Sequence, residues 1–420
     1  MFYREKRIST LKRLGTLLSF FLFLNVGAAQ KLVNYELVET YTIQDLEKIW
    51  KENNIPKVIS QIDYDVEVYE IIYQSTWHDG SPVKASGIYF LPKNVEEPLP
   101  QICYNHGTKL RKERKIGLYG EQVICIGYAT TGFAVARPDY FGLGKGERTH
   151  LYIHSESEAI SSIDMLRAVR ELNEKLGVET SEKLFLTGYS QGGHATMATH
   201  KIMQERFPDE FSVTASAPMS GPYESSGVQG EVMYKPYSRP SYLPYLVYSY
   251  QEVYQLFDDI NTVFKPPYDT MLPPLYDGTH GMRDIDKLLP EIPSEIFRDE
   301  VLEWHHSDTS GPFWQALREN DVHNWKPESP VLMCFCEADE QVPAENARVA
   351  LKAMRAKGAK DVKLRMVGKK YGHNKCALFT AVYAKMYFDS FLKGSKKGRK
   401  GPVFKRMLLS LAKMKIKPWL

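Results

Sequence analysis

Six short apolar segments alternate with longer stretches of helical periodicity between residues 100 and 392, and this alternation limits the folds open to the chain. The apolar segments are PQICYN, GFAVAR, KLFLTG, SVTASAP, PVLMCFC and VKLRMV, and the clearest helical stretches are SEAISSIDMLRAVRELNEKLG and CALFTAVYAKMYFDSFL. Strands that alternate with helices form a parallel sheet with helices on both faces. Before them, alternating apolar residues in YDVEVYEIIYQSTW and SPVKASGIYFLP flank the turn sequence HDG, which predicts an antiparallel hairpin. The sequence therefore predicts an α/β fold with a mostly parallel sheet.

One interval, residues 224–328, interrupts this alternation. It has no strong strand pattern, it is rich in proline (FKPPYDTMLPPLYDG), and seven tyrosines crowd its first third: Tyr234, Tyr237, Tyr242, Tyr245, Tyr248, Tyr250 and Tyr254. We expect a helical cap, or lid, inserted into a catalytic core formed by residues 30–223 and 329–392. The tyrosines either line a substrate cleft or hold the cap onto the core, and both alternatives stay open at this point.

The first 29 residues have the pattern of a signal peptide. Five basic residues precede an apolar stretch of eleven residues, 14–24, which ends in NVGAAQ. That stretch is shorter than the roughly 20 residues that span a bilayer, so a peptide cleaved near Ala28 or Ala29 is favoured over a membrane anchor. The mature protein is therefore expected to be exported, either to the periplasm or beyond the cell.

The formal net charge of +3 conceals an uneven distribution of charge. Residues 30–392 carry 50 acidic and 39 basic residues, whereas the C-terminal tail, residues 393–420, carries ten basic residues and no acidic one. An acidic body is a poor match for nucleic acid, so we expect no nucleic-acid partner. For the tail, a solvated segment is favoured over weak contact with an anionic membrane surface.

The cysteines and histidines do not form a recognisable metal site. Five cysteines are few and odd in number for an exported chain, so no disulfide scaffold is expected. Cys334 and Cys336 are interpreted as small core residues, because no second pair of cysteines or histidines completes a zinc set. His150 and His154 lie four residues apart without a third ligand and are interpreted as structural. We expect neither a metal nor another cofactor.

The pentapeptide GYSQG contains a candidate nucleophile, Ser190. It matches G-x-S-x-G, and it lies between the predicted strand KLFLTG and the predicted helix QGGHATMATHKIMQERF. A serine on a sharp turn from strand to helix presents its hydroxyl at the edge of the sheet. Gly188 and Gly192 fit this interpretation, since they lack the Cβ atom that would obstruct close packing of strand and helix.

A serine nucleophile requires a base, and the base requires an acid that orients it. Asp339 and His373 follow the strands PVLMCFC and VKLRMV, and loops after parallel strands meet at one edge of a sheet. Asp339 also begins the sequence DEQVP, in which the proline would hold the loop. The weaker candidates are two neighbouring acids and three other histidines: Glu337, Glu340, His194, His200 and His280.

Acyl transfer also requires two backbone N–H groups that stabilise an oxyanion. Gln191, which follows Ser190 at the start of a helix, is expected to supply one, and Thr108 in YNHGT is expected to supply the other. His106 in the same loop is expected to brace it rather than to transfer protons. Tyr140, after the strand GFAVAR, and Tyr189 are predicted to contact the substrate.

Six motifs occur in one order along the chain: YNHGT, PDYFGLG, HLYIHSESEAISSIDMLRA, GYSQGGH, EADEQVP and YGHN. Over most of residues 60–392 the chain thereby resembles secreted α/β-hydrolases of the secretory-lipase and cell-wall-esterase kind. The resemblance implies an α/β-hydrolase fold with Ser190 as nucleophile, Asp339 as acid and His373 as base. It implies a carboxylic ester hydrolase that acts through an acyl-enzyme on a small-molecule or polysaccharide-linked ester, and it says least about the cap.

Two other functions remain open. A serine peptidase of the prolyl-oligopeptidase type shares this core and the GYSQGG motif, although the stretch before the first core strands is too short for the propeller domain of that group. A non-catalytic glycan-binding protein built on a hydrolase fold would be expected to have a damaged triad, and this sequence retains all three residue types.

Overall fold

The computed structural model describes residues 30–52, 61–307 and 310–392 of the 420-residue chain. The predicted signal peptide, residues 1–29, and the basic tail, residues 393–420, lie outside the described residues.

The strands of the described residues join into a single sheet. They are β1 (Leu32–Tyr41), β2 (Val66–Thr76), β3 (Pro82–Pro92), β4 (Leu99–Asn105), β5 (Ala134–Pro138), β6 (Thr180–Tyr189), β7 (Val213–Met219), β8 (Val331–Cys336) and β9 (Val362–Gly368). Their order in the sheet is β1-β2-β3-β5-β4-β6-β7-β8-β9. The pairs from β1 to β3, and β3 with β5, are antiparallel, and every other pair is parallel. The predicted hairpin and the mostly parallel sheet are confirmed.

Helices cover both faces of this sheet. They are α1 (Ile43–Glu52), α2 (Gln122–Ala129), α3 (Ser155–Leu176), α4 (Gln191–Arg206), α5 (Tyr242–Tyr254), α6 (Tyr268–Met271), α7 (Met282–Asp286), α8 (Asp299–Ser307), α9 (Pro312–Glu319), α10 (Glu345–Ala356) and α11 (His373–Asp389). Apolar side chains of α3, α4 and α10 bury one face of the sheet, and those of α1, α2 and α11 bury the other. The predicted α/β class is therefore confirmed. Burial on both faces also explains why the parallel strands are almost continuously apolar.

The parallel strands bring the predicted catalytic residues to one edge of the sheet. Ser190 follows the end of β6, Asp339 lies just beyond β8, and His373 follows β9 as the first residue of α11. In a parallel sheet the carboxyl ends of neighbouring strands share an edge, so residues separated by as much as 183 positions along the chain come close in space.

The segment between β7 and β8 is helical. It contains α5 to α9 together with four short 3-10 helices, and no strand occurs among its described residues. It has an apolar cluster of its own, in which Val247, Phe264 and Phe297 are buried. These features agree with a helical cap, while the boundaries at residues 224 and 328 stay predictions.

The cysteines correct one expectation. Cys336, interpreted above as a small core residue, forms a disulfide with Cys376 of α11. Cys334 is a buried free thiol, as predicted. Cys334 and Cys336 lie two positions apart in β8, as residues on the same face of any strand do. The β8 sequence alone therefore could not reveal that Cys336 has a partner 40 residues away.

We predict that the disulfide contributes measurably to stability. Replacing both cysteines in Cys336→Ala/Cys376→Ala should lower the free energy of unfolding by about 4 kcal/mol, because a cross-link that closes a loop of 40 residues restricts the unfolded chain. Denaturant unfolding with and without a reductant measures this, and reduction should destabilise the wild type but not the double variant. Cys334→Ala is the matched control, since it removes a buried sulfur and no bond. A loss no larger than that of the control would contradict the prediction.

Candidate active site

Ser190 occupies a strained turn between β6 and α4. Its backbone has φ 60° and ψ −122°, a region that side-chain-bearing residues rarely adopt. The turn is held at both ends, since Ser190 N–H donates to the carbonyl of Met219 at 2.9 Å and its carbonyl accepts from Gly193 N–H at 2.8 Å. Strain of this kind persists only where the surroundings fix it, and it is common at active sites.

The neighbouring glycines are required by close packing. A Cβ atom on Gly188 or Gly192 would lie within 3.0 Å of the backbone carbonyl of Asn105 in β4, and one on Gly193 would lie 2.6 Å from the carbonyl of Met219. The first turn of α4 therefore touches the ends of β4 and β7 directly. The packing role predicted for these glycines is confirmed.

Asp339 and His373 are hydrogen-bonded to each other. The His373 Nδ1 lies 2.8 Å from Oδ1 and 2.9 Å from Oδ2 of Asp339, and both side chains are buried. The backbone N–H groups of Gln341 and Val342 donate to Asp339 Oδ1 at 3.1 and 2.9 Å. These bonds hold the carboxylate in place, so it can fix the orientation and the tautomer of the imidazole.

The two acids beside Asp339 have other contacts. Glu340 accepts a hydrogen bond from the backbone N–H of His373 at 2.9 Å, while Glu337 forms an exposed ion pair with Arg348. Of the three carboxylates, Asp339 alone contacts the imidazole ring within the described residues.

Tyr189 connects the serine turn to the histidine. Its ring centroid lies 4.8 Å from that of His373, and its hydroxyl donates to the His373 backbone carbonyl. No hydrogen bond joins Ser190 Oγ to the His373 ring in the described structure. Bonds of this type often tighten only when a substrate is bound, so the arrangement is compatible with proton transfer between the two residues.

The two predicted oxyanion donors lie next to the serine turn. Gln191 is the first residue of α4. No helical carbonyl lies one turn before it, so its backbone N–H has no acceptor within the helix. On the other side, a Cβ atom on Gly107 would lie 3.5 Å from that of Ser190, so the loop that carries Thr108 packs against the serine. Glu121 holds this loop by accepting from the Gly107 N–H at 3.0 Å.

His106 braces the same loop. Its Nδ1 lies 2.6 Å from the Gly107 carbonyl, and its Nε2 lies 3.1 Å from the Asp139 carbonyl. Burial lowers the pKa of His106 well below its ordinary value. The expected bracing contacts are confirmed.

A cavity extends from the serine turn into the cap. Ser190 and Gln191 lie at one end of it, and most of its wall is apolar, with Met233, Leu246, Val247, Phe297, Val301 and Phe313 among the lining residues. A mostly apolar wall with a few polar groups at the reactive end is typical of sites that bind small organic ligands.

Known proteins resemble both the sequence and this architecture. A family model described as secretory lipase matches residues 115–217. A candidate hydrolase from Legionella pneumophila is 30% identical over 88% of this chain and 100% of its own, with a TM-score of 0.81. The chain belongs to the secretory-lipase and esterase-like α/β-hydrolases. It is thus a carboxylic ester hydrolase.

Other structures agree with this assignment of the hydrolase. The rice cell wall degrading esterase LipA from Xanthomonas oryzae, in a ligand-bound form, is 27% identical over 86% of this chain and 95% of its own, with a TM-score of 0.74. Candida antarctica lipase A, at 16% identity, covers 86% of this chain and 82% of its own with a TM-score of 0.64, and it supports the fold alone. No curated protein is significantly similar to the hydrolase in sequence.

The two tyrosines of the hydrolase that were predicted to contact the substrate lie beneath the active-site loops. Tyr140 is buried, and its hydroxyl donates to the His106 carbonyl at 3.0 Å. Tyr189 is buried against His373, and neither tyrosine is among the described residues that line the cavity. Their hydroxyls hold the backbone carbonyls of His106 and His373, and contact of either tyrosine with a substrate stays a prediction.

The cap tyrosines of the hydrolase line the cavity and hold the cap onto the core, while a role in substrate binding stays a prediction. Tyr237 and Tyr242 line the cavity. Tyr237 also donates to the Gln341 carbonyl at 3.0 Å, and Tyr245 donates to the Lys109 carbonyl at 3.2 Å. The cap is therefore hydrogen-bonded to the loops that carry Asp339 and Thr108.

Sequence reasoning missed a buried carboxylate behind the serine turn of the hydrolase. Glu158 of α3 contacts His194 and Gln191 of α4, and its only sequence signal is a position among the small residues of SESEAISS. His150 and His154, interpreted as structural, are also buried, and burial lowers the pKa of His150 to about 4 and that of His154 to about 3.

The described residues of the hydrolase contain neither a metal-binding cluster nor a membrane-spanning helix. No group of three or more histidine, cysteine or acidic side chains there is arranged to hold a metal ion. No described helix has both the length and the apolar character needed to cross a bilayer.

We predict that the acid can be identified by substitution. Asp339→Asn should lower kcat by about 10⁴-fold, because the amide cannot support the required imidazole tautomer. Glu340→Gln should cost less, since Glu340 bonds only the backbone of His373, and Glu337→Gln should leave activity unchanged. Steady-state kinetics with a p-nitrophenyl ester measures all three. Loss of activity in Glu340→Gln with full activity in Asp339→Asn would contradict this order.

Proposed function

We propose that the hydrolase is an exported serine esterase or lipase that acts through Ser190, His373 and Asp339 and forms an acyl-enzyme. The observation that carries this proposal is the position of Ser190. It lies on a strained turn at an apolar cavity, directly after Tyr189, whose ring packs against a histidine that is bonded to an aspartate. A backbone fixed in this way presents a hydroxyl to a ligand without further rearrangement.

In the proposed first half-reaction, Ser190 Oγ attacks the ester carbonyl carbon while His373 Nε2 accepts the hydroxyl proton. The positive charge on the imidazole is stabilised by Asp339 through the Nδ1 contact. The N–H groups of Gln191 and Thr108 donate to the carbonyl oxygen as it becomes negative. The carbon–oxygen bond to the alcohol then breaks, and His373 gives its proton to the departing alcohol.

In the second half-reaction, water attacks the acyl-enzyme carbonyl and His373 accepts a proton from that water. The tetrahedral intermediate is again held by Gln191 and Thr108. Its collapse releases the carboxylic acid and returns the proton to Ser190. No cofactor is needed for either half of this cycle.

We further propose that the acyl group occupies the cavity that extends into the cap. Apolar side chains dominate its wall, so a hydrocarbon chain gains free energy there in proportion to the apolar area that leaves water. The esterase from Xanthomonas oryzae is described as degrading rice cell wall. By that likeness, an alcohol that belongs to a polysaccharide is included in the proposal beside small-molecule esters.

Export is part of the same proposal. The basic and apolar pattern of residues 1–29 supports it, as does the match to a secretory lipase family. The Cys336–Cys376 disulfide adds independent support, because disulfides persist mainly in oxidising compartments outside the cytosol.

We predict that Ser190→Ala abolishes ester cleavage. Mature protein and variant are compared on p-nitrophenyl esters from acetate to palmitate, and kcat should fall by about 10⁶-fold because the attacking oxygen is lost. Ser225→Ala is the matched control, since Ser225 lines the same cavity and has no role in the proposed mechanism. Equal activity of Ser190→Ala and wild type would refute the triad. Faster cleavage of aminoacyl p-nitroanilides than of every ester would favour the peptidase function.

We predict that Leu246 limits the length of the acyl chain. Leu246→Trp fills part of the cavity and should lower kcat/KM for the long-chain esters while leaving that for acetate nearly unchanged. Leu246→Met, which conserves volume, is the control for substitution in the cap. A uniform loss over all chain lengths in Leu246→Trp would show that the acyl group does not enter this cavity.

A further inference from the structure

Four polar side chains are buried together behind the serine turn. Glu158 is 1% exposed, His194 0% and Gln191 1%, and His150 is buried beside them. None of the four belongs to the Ser190, His373 and Asp339 set. A carboxylate buried this deeply is unfavourable unless it is paired, so the contacts of Glu158 account for its presence in the core.

The Glu158 side chain uses its two oxygens for two different partners on α4. Oε2 lies 2.7 Å from His194 Nδ1, and Oε1 accepts from Gln191 Nε2 at 2.8 Å. The other ring nitrogen of His194 lies 2.8 Å from the Asn320 carbonyl. Both ring nitrogens of His194 thus face acceptors, which favours the doubly protonated ring. Burial by itself lowers the pKa of His194, but the facing Glu158 raises it, and the net pKa lies above its ordinary value.

His150 completes the set of contacts around Gln191. Its Nδ1 lies 3.2 Å from the Phe141 carbonyl, so the neutral ring donates there and leaves Nε2 as an acceptor. Gln191 Nε2 lies 2.8 Å from that Nε2. The two hydrogens of the Gln191 amide are therefore directed to two fixed acceptors, Glu158 on α3 and His150 in the loop before α3.

These contacts restrain the residue whose backbone N–H faces the proposed oxyanion. Gln191 is the first residue of α4, so intrahelical hydrogen bonds do not hold its N–H, and the side chain provides the restraint from α3. We propose that Glu158 and His194 are positioning residues that direct the Gln191 N–H toward the oxyanion, a role that rests on the proposed function. Glu158 acts through Gln191, and His194 holds Glu158 in place.

The proposed role is distinct from general stabilisation of the core. Asp164 provides the comparison, since it is a second buried carboxylate of α3, paired with Arg167 and bonded to Ser75 of β2, away from the serine turn. Loss of either carboxylate should reduce stability, but only loss of Glu158 should weaken stabilisation of the transition state.

The experiment measures kcat, KM and inhibition by an alkylboronic acid, which binds the Ser190 oxygen as a tetrahedral anion. Glu158→Ala and Gln191→Ala should each lower kcat by about 10²-fold with little change in KM, because a small displacement of a catalytic donor has an effect of this size. The inhibition constant of the boronic acid should rise by the same factor. Glu158→Gln should recover most of the kcat, since its carbonyl oxygen can accept from Gln191 and its amide N–H can donate to Nδ1 of a neutral His194 ring. Asp164→Ala should leave kcat and inhibition unchanged.

A double variant tests whether Glu158 acts through Gln191. In Glu158→Ala/Gln191→Ala, the loss of kcat should be no larger than in the more affected single variant, whereas independent effects would multiply. The proposal is overturned if the kcat losses of the two single variants multiply in the double variant, or if folded Gln191→Ala keeps the wild-type kcat. If Glu158→Ala does not fold, the Gln191→Ala and Glu158→Gln results decide it alone. Ser190→Ala assayed in parallel keeps the two proposals separate, because retained activity there would refute the triad whatever the Glu158 variants do.

Discussion

The close approach of α4 to β4 is the constraint on which the site depends. Gly188 and Gly192 let the helix begin directly against the Asn105 carbonyl, and the chain can reverse direction there only if Ser190 adopts a positive φ. The extensive core on both faces of the sheet holds Ser190 in this strained backbone conformation. The Thr108 loop and His373 are then positioned by contacts with that same turn, so one tight packing interaction orders the surrounding loops.

The central sheet and the serine, aspartate and histidine positions were predictable from the sequence because they depend on local patterns. Parallel strands buried on both faces are apolar throughout, and the G-x-S-x-G turn has strict steric requirements. Strand β1 was not predicted, because Val33, Tyr35 and Leu37 are among its exposed residues and it pairs with β2 at the edge of the sheet. An edge strand lacks the alternation of buried and exposed residues that identifies strands in a sequence.

The residues that support the site could not be read from the sequence, because their roles depend on long-range packing. Glu158 lies among serines on α3 and resembles a surface residue until α4 covers it. Tyr189 and Tyr140 follow motif positions that suggested substrate contact, yet their hydroxyls bond backbone carbonyls of the active-site loops. Cys336 is similar, since only the tertiary structure brings it to Cys376. For these residues the sequence places the element but does not show where the side chain points.

The tyrosine hydroxyls of the cap limit how such enzymes can exchange their caps. Tyr237 and Tyr245 donate to carbonyls next to the loops of Asp339 and Thr108, so the cap completes the hydrogen bonding of the catalytic domain. A cap transplanted from a relative would leave those carbonyls buried and unpaired unless it supplied donors at the same places. Exchange of whole caps is therefore restricted, and new specificities are more accessible through substitutions inside the cavity, which leave the tyrosine anchors intact.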